Sequence, residues 1–156
     1  MTSDDFRADQ QSPPDVTYWH VWTDVNGVSH QTRRPISGFA MEPIASGTVP
    51  QWLGPSVTEE MRNLFTVLPA GWTCEWHENP APQWIIPISG QWGVETMDGT
   101  KVVMGPGEIS LGQDQGSQLI DGRRGHRSWV EGNEPAVLML FQLGDGFQLP
   151  TEPNAA

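Results

Sequence analysis

The chain has 156 residues, room for one folding unit with a core of its own, and its eight Lys and Arg against nineteen Asp and Glu leave a formal net charge of −11. That charge repels phosphate backbones and anionic lipid surfaces, so neither a nucleic-acid nor a membrane partner is expected. One cysteine, Cys74, cannot close an internal disulfide, and the start MTSDDFRADQQSPPD has neither the basic opening nor the apolar run of a signal peptide. No apolar run approaches the roughly twenty residues that span a bilayer. Together these features predict a cytoplasmic protein.

Residues 1–15 are polar, acidic and proline-bearing, with too little apolar surface to offset the entropy of ordering them, and read as a disordered tail. TYWHVW from Thr17 to Trp22 is the first strand candidate. Asn26-Gly27 is a hairpin turn signal that returns the chain into SHQTRR, so an N-terminal hairpin opens the domain. SGFAMEPI and VPQWLGP suggest an irregular or edge segment, and VTEEMRNLF from Val57 is the one convincing place for a short helical turn. NLFTVLPAG goes back to strand character. From WTCEWH onward the signals come at the even spacing of an all-β sandwich or barrel: QWIIPIS, GQWGVET, KVVM, GEISLG and AVLMLFQL, with Asp98-Gly99 turning one hairpin. GQDQGSQLIDGRRGHRSW is polar and glycine-rich, which predicts a long loop or a poorly formed ribbon that carries His126. Residues 149–156 form a loose C-terminal tail, leaving one domain over 16–148. Seventeen glycines and fourteen prolines fit many short strands and turns, and most of the eight tryptophans are expected in core and wall packing.

Alternation along a regular strand puts Thr73, Glu75 and His77 on one face, with Cys74 and Trp76 on the other. Gln83, Ile85 and Pro87 line the next strand if its inward face starts at Gln83. Polar side chains turned toward an apolar interior are costly unless they bind one another, water, a metal or a ligand, so Glu75, His77 and Gln83 together suggest a site.

With spacings written out, the stretch from Gly71 to Gly90 is Gly71, five residues, His77, one residue, Asn79, three residues, Gln83, six residues, Gly90. It resembles the first motif of the cupins, with Asn79 where that family has a second histidine and Gln83 where it has a glutamate. The second motif is matched loosely by Gly107 and His126, with Gln113 in its proline position and Val130 in place of its asparagine. The resemblance covers most of the chain after Gly71. It implies an all-β, cupin-type double-stranded β-helix, a jelly-roll barrel, with the face bearing His77 turned inward.

It further implies a small-molecule enzyme acting inside the barrel, with a divalent metal (Fe, Ni, Zn or Mn) as Lewis acid or for dioxygen activation. His77, Gln83, His126 and Asn79 are the implied ligands, and an amide in place of a carboxylate weakens the hold on the ion while leaving it more acidic. Glu75, His77 and His126 are the catalytic candidates, with Trp84 and Trp92 as pocket wall. Asp114, on the connection leading to His126, is placed to orient its second ring nitrogen. Two other readings stay open: a metal-free isomerase, lyase or cyclase using Glu75 and the histidines as acid and base, and a non-catalytic ligand-binding cupin. Arg123 and Arg124 favour an anionic small-molecule substrate, with residues 114–124 as a lid. Tyr18, Val21 and Trp22 of the N-terminal hairpin suggest a homodimer.

Overall fold

The computed structural model describes residues 12–13, 15–43, 46–47, 50–55 and 60–148. Most of the expected N-terminal tail and the whole of 149–156 lie outside them. Twelve strands are formed and, among the described residues, no helix: β1 (Thr17–Thr23), β2 (Ser29–Pro35), β3 (Ala40–Glu42), β4 (Gln51–Leu53), β5 (Arg62–Leu68), β6 (Thr73–His77), β7 (Gln83–Ser89), β8 (Gln91–Thr96), β9 (Lys101–Met104), β10 (Ser110–Gln113), β11 (His126–Glu131) and β12 (Ala136–Gln142). No helix of the described residues is long and apolar enough to cross a membrane.

The strands form a six-stranded sheet in the order β2-β1-β10-β7-β12-β5, a four-stranded sheet in the order β6-β11-β8-β9, and the pair β3-β4. None of these closes into a barrel: β2 and β5 are edges of the larger sheet, β6 and β9 of the smaller. β1 and β10 run parallel, whereas β10 with β7, β7 with β12, β12 with β5, β6 with β11, β11 with β8, β8 with β9 and β3 with β4 are antiparallel. Two compact units are distinguished by their internal contacts. One contains β3 and β4; the other, Tyr18–Arg34 with Glu59–Phe147, carries the two large sheets.

Within that second unit the two sheets bury their facing side chains in one core. Val21, Leu68, Ile85, Ala136 and Leu138 come from the larger sheet, and Trp92, Val94, Val102, Met104 and Val130 from the smaller. The alternation that hides one face of each strand is plain in β7, where Gln83, Ile85 and Pro87 are buried between less buried neighbours.

The part of VTEEMRNLF from Arg62 onward departs from the helical turn its sequence suggests. Residues 56–59 lie outside the described set, but from Arg62 the chain is strand β5, paired with β12 from Leu68↔Ala136 to Arg62↔Gln142. Leu64, Thr66 and Leu68 are more buried than their neighbours, a period of two that this long ladder imposes over a modest helical propensity. Asn26-Gly27 and Asp98-Gly99 turn their hairpins as expected, with Gly27 N and Gly99 N donating to Asp24 O and Thr96 O. The connection between β10 and β11 is a loop throughout, apart from an isolated bridge between Ile120 and Arg123.

Candidate functional site

At one end of the core, strands β6 and β11 bring the two motif histidines together. His77 and His126 are register partners across the ladder, and their ring centroids are 4.5 Å apart with planes inclined at 52°. Gly125 makes the approach possible: its φ is +72°, and a Cβ there would overlap the His77 carbonyl. His126 is buried and His77 exposed.

Behind His126 stands Asp114, with no exposed surface. His126 Nδ1 lies 2.6 Å from Asp114 Oδ2, while Asp114 Oδ1 accepts from Asn79 N at 2.9 Å and Asn79 Nδ2 at 2.8 Å. Burial works to raise the Asp114 carboxyl. The hydrogen bond and charge of His126 and the two donors of Asn79 outweigh it and hold the group below its ordinary 3.8.

A chain of amides continues from there. Gln83 Nε2 donates to Asn79 Oδ1 at 2.7 Å, and Gln142 Nε2 donates to Gln83 Oε1 at 3.2 Å. Every orientation follows from the first, because an ionised carboxylate only accepts: Asn79 must turn its NH2 to Asp114, so its oxygen must receive Gln83, whose oxygen in turn receives Gln142. Gly112, the ladder partner of Gln83, leaves the room; a Cβ on it would overlap the Asn79 side chain.

The same logic fixes both imidazole tautomers. His77 Nδ1 lies 2.7 Å from the Glu75 carbonyl and His126 Nδ1 faces a carboxylate, so each Nδ1 carries its hydrogen and donates. Both Nε2 atoms are left as lone-pair acceptors in the neutral rings, and neither has a hydrogen-bond partner among the described residues. Of the four donors expected to hold a metal, two imidazole nitrogens therefore remain available, while the amide oxygens of Asn79 and Gln83 are engaged in the chain. No group of three or more His, Cys, Asp or Glu suited to a metal ion occurs among the described residues. The residues as arranged do not form the four-donor set.

The other candidates are placed elsewhere. Glu75 is exposed, and the face shared by Thr73, Glu75 and His77 in a regular strand is not preserved. The register jumps from His126↔His77 to Ser128↔Cys74, a bulge that sets Glu75 and Trp76 together against Arg127. Cys74 accordingly comes round to the side of His77, its Sγ 3.5 Å from His77 Nδ1, where alternation had put it on the opposite face. Trp92 is part of the core between the sheets. Trp84, of opposite parity to Gln83, meets Tyr18 and Phe147 edge-on, with centroids 5.2 and 6.5 Å away. Arg123 lies over the Trp76 ring at 5.5 Å, and Arg124 Nε is 3.2 Å from Glu78 Oε1. Gln142 was not a sequence candidate. It closes an apolar strand, where a terminal glutamine carries no signal of its own.

No protein-family model matches the chain, and no curated protein matches it. Among solved structures it is similar to the crystal structure of protein NMB1881 from Neisseria meningitidis, at 18% identity, over 54% of this chain and 74% of that one, with a TM-score of 0.40. A likeness at this level carries no argument about function.

Proposed function

We propose that the chain is a small-molecule enzyme of the cupin type that works by proton transfer, with His126 as the general base and acid, Asp114 as its orienting carboxylate and His77 beside it. The carrying observation is the 2.6 Å contact of His126 Nδ1 with the fully buried Asp114, which holds the ring in the tautomer whose Nε2 takes a proton. Asp114 stabilises the imidazolium that then forms. Nε2 returns the proton to another atom of the substrate, the balance of an isomerisation or of an elimination. The cupin assignment rests on the spacing from Gly71 to Gly90 and on the two facing sheets; no step in this reading passes through a metal.

Glu75, exposed on the bulge, is not the base in this reading. Nor does the site select an anion: Arg124 and Arg127 are paired with Glu78 and Glu95, and Arg123 rests on Trp76. A neutral or cationic substrate that donates hydrogen bonds to Nε2 fits better. Cytoplasmic residence and a homodimer remain proposals, the latter tested by light scattering at micromolar concentration.

The test is a thermal-shift screen of small metabolites followed by turnover assays on the hits. His126→Gln should lower turnover by about 10²–10⁴-fold with binding retained. Turnover undiminished in that variant would overturn the assignment, and binding with no turnover of any hit by the wild type would leave a ligand-binding protein. Activity should survive chelation; activity that is lost on chelation and restored by one added divalent ion would instead favour the metal-dependent reading.

A further inference from the structure

Away from the histidine pair, His30 bridges two carboxylates. Its Nε2 lies 2.8 Å from Asp24 Oδ2 and its Nδ1 2.9 Å from Asp98 Oδ2, while Trp22 stacks on the ring at 4.8 Å and 24°. Each aspartate uses its other oxygen to fold its own turn. Asp24 Oδ1 accepts from Asn26 N and Val28 N, and Asp98 Oδ1 from Thr96 Oγ1 and Thr100 N. His30 thus ties the β1–β2 turn to the β8–β9 turn, and among the described residues these two aspartates are the only charged groups that meet it.

The tied segment also holds the loop that delivers His126. Ser29, wholly buried, donates its hydroxyl to Gly125 O at 2.6 Å and accepts from Met97 N at 2.8 Å; Gly27 O accepts from Gln118 N at 2.9 Å. The β1–β2 turn therefore grips the β10–β11 loop at Gln118 and at Gly125, the residue before His126.

We propose that Ser29 and His30 are positioning residues for His126: the charged His30 ring clamps the two turns, Ser29 passes that constraint to Gly125, and loss of the His30 charge loosens the loop. This rests on the reading of His126 as the acid–base group, but the positioning itself is measurable without turnover.

The chemistry is a matter of counting protons. Both partners are ionised carboxylates, held so by their hydrogen bonds: the His30 bond is foremost at Asp24, and at Asp98 the bonds from Thr96, Thr100 and the backbone overcome the effect of burial. Neither can donate, so both bonds exist only while both ring nitrogens carry hydrogen. A neutral ring keeps one bond and turns a lone pair toward the other carboxylate.

Hydrogen exchange at the Gln118 and Met97 amides, which donate to Gly27 O and Ser29 Oγ, corrected for intrinsic rates, tests this on the full chain, with His30 protonation followed by NMR in the same samples. Exchange should quicken about tenfold as His30 loses its second ring proton. His30→Gln should show the faster exchange at every pH. Asp98→Asn should abolish the pH dependence and keep the loop protected, because an asparagine retains the bonds to Thr96 and Thr100 through its oxygen and donates its NH2 to a neutral His30 Nδ1. Unchanged loop protection in His30→Gln, or a pH response that persists in Asp98→Asn, would overturn the proposal. Intact positioning with no turnover would sink the catalytic reading alone.

Discussion

At the scale of single residues the chain keeps a buried and a half-buried histidine in opposite circumstances. His126 is supplied with a carboxylate. His20 has only the Gln113 amide oxygen, 2.9 Å from its Nε2, and its Nδ1 is buried without a partner among the described residues. Burial pushes His20 down to about 4, with the Gln113 bond opposing and Arg34 reinforcing the shift. Below pH 6.5 the unfolded chain binds a proton that the folded chain refuses until about pH 4, so stability falls across that window and levels off beneath it. The loss amounts to about 3 kcal/mol. His20→Gln, which donates to Gln113 without titrating, should flatten the pH 4–6.5 slope in urea titrations; an unchanged slope would place the acid sensitivity elsewhere. The depressed Asp114 carboxyl acts at lower pH: its contribution is complete above its ordinary 3.8 and disappears as pH falls through its lower folded value. Asp114→Ala strips the partner from buried His126 and two donors of Asn79, and should cost about 3–5 kcal/mol at neutral pH. Glu75→Gln, at an exposed bulge position, should leave both stability and turnover unchanged.

Secondary-structure elements show which parts of this arrangement a sequence can announce. Gly112→Ala, outwardly mild in a strand, should destabilise by about 1–3 kcal/mol, because the added Cβ meets the Asn79 side chain and the amide chain must shift to admit it. Chemical denaturation of the variant measures this, and a neutral result would mean that the amides repack freely. The hairpins at Asn26-Gly27 and Asp98-Gly99, the strands β6 to β10 and β12 and the long loop before His126 were legible because turn chemistry and apolar alternation are local properties; β11 was not, because HRSW continues the polar run of that loop and becomes strand only between β6 and β8. Asp114 as the orienter of His126 was legible from their shared connection. The inward set on β6 was not: parity assumes one residue against one, and the bulge opposite Arg127 exchanges the places of Glu75 and Cys74. Strand β5 was legible from Asn63 onward in NLFTVL, although the same NLF also closes the stretch that suggests a helical turn, and pairing with β12 from Arg62 settles it as strand. Gln142 enters through the same ladders, which no local pattern around it records.

For the unit that carries the two large sheets, the decisive feature is that neither sheet has a core of its own. Leu138 of β12 and Val94 and Met104 of β8 and β9 belong to one buried cluster, so the larger sheet covers the apolar face of the smaller and the reverse. The histidine pair belongs to the smaller sheet through β6 and β11, whereas Gln83 and Gln142 belong to the larger through β7 and β12, and the hydrogen-bonded chain from Gln83 through Asn79 and the Asp114 carboxylate to His126 crosses from one layer to the other. Site and core should therefore be lost in a single transition. Leu138→Ala, at a position 3% exposed, removes contacts from the larger sheet only in a formal sense and should cost about 2–5 kcal/mol. The expected result is a lower denaturation midpoint at unchanged slope, with slow-exchanging amides of β8 and β11 losing protection by the same factor as those of β7 and β12. Protection lost in β7 and β12 but kept in β8 and β11 would show that the smaller sheet holds itself together, and that the hydrogen-bonded chain links two separately stable layers.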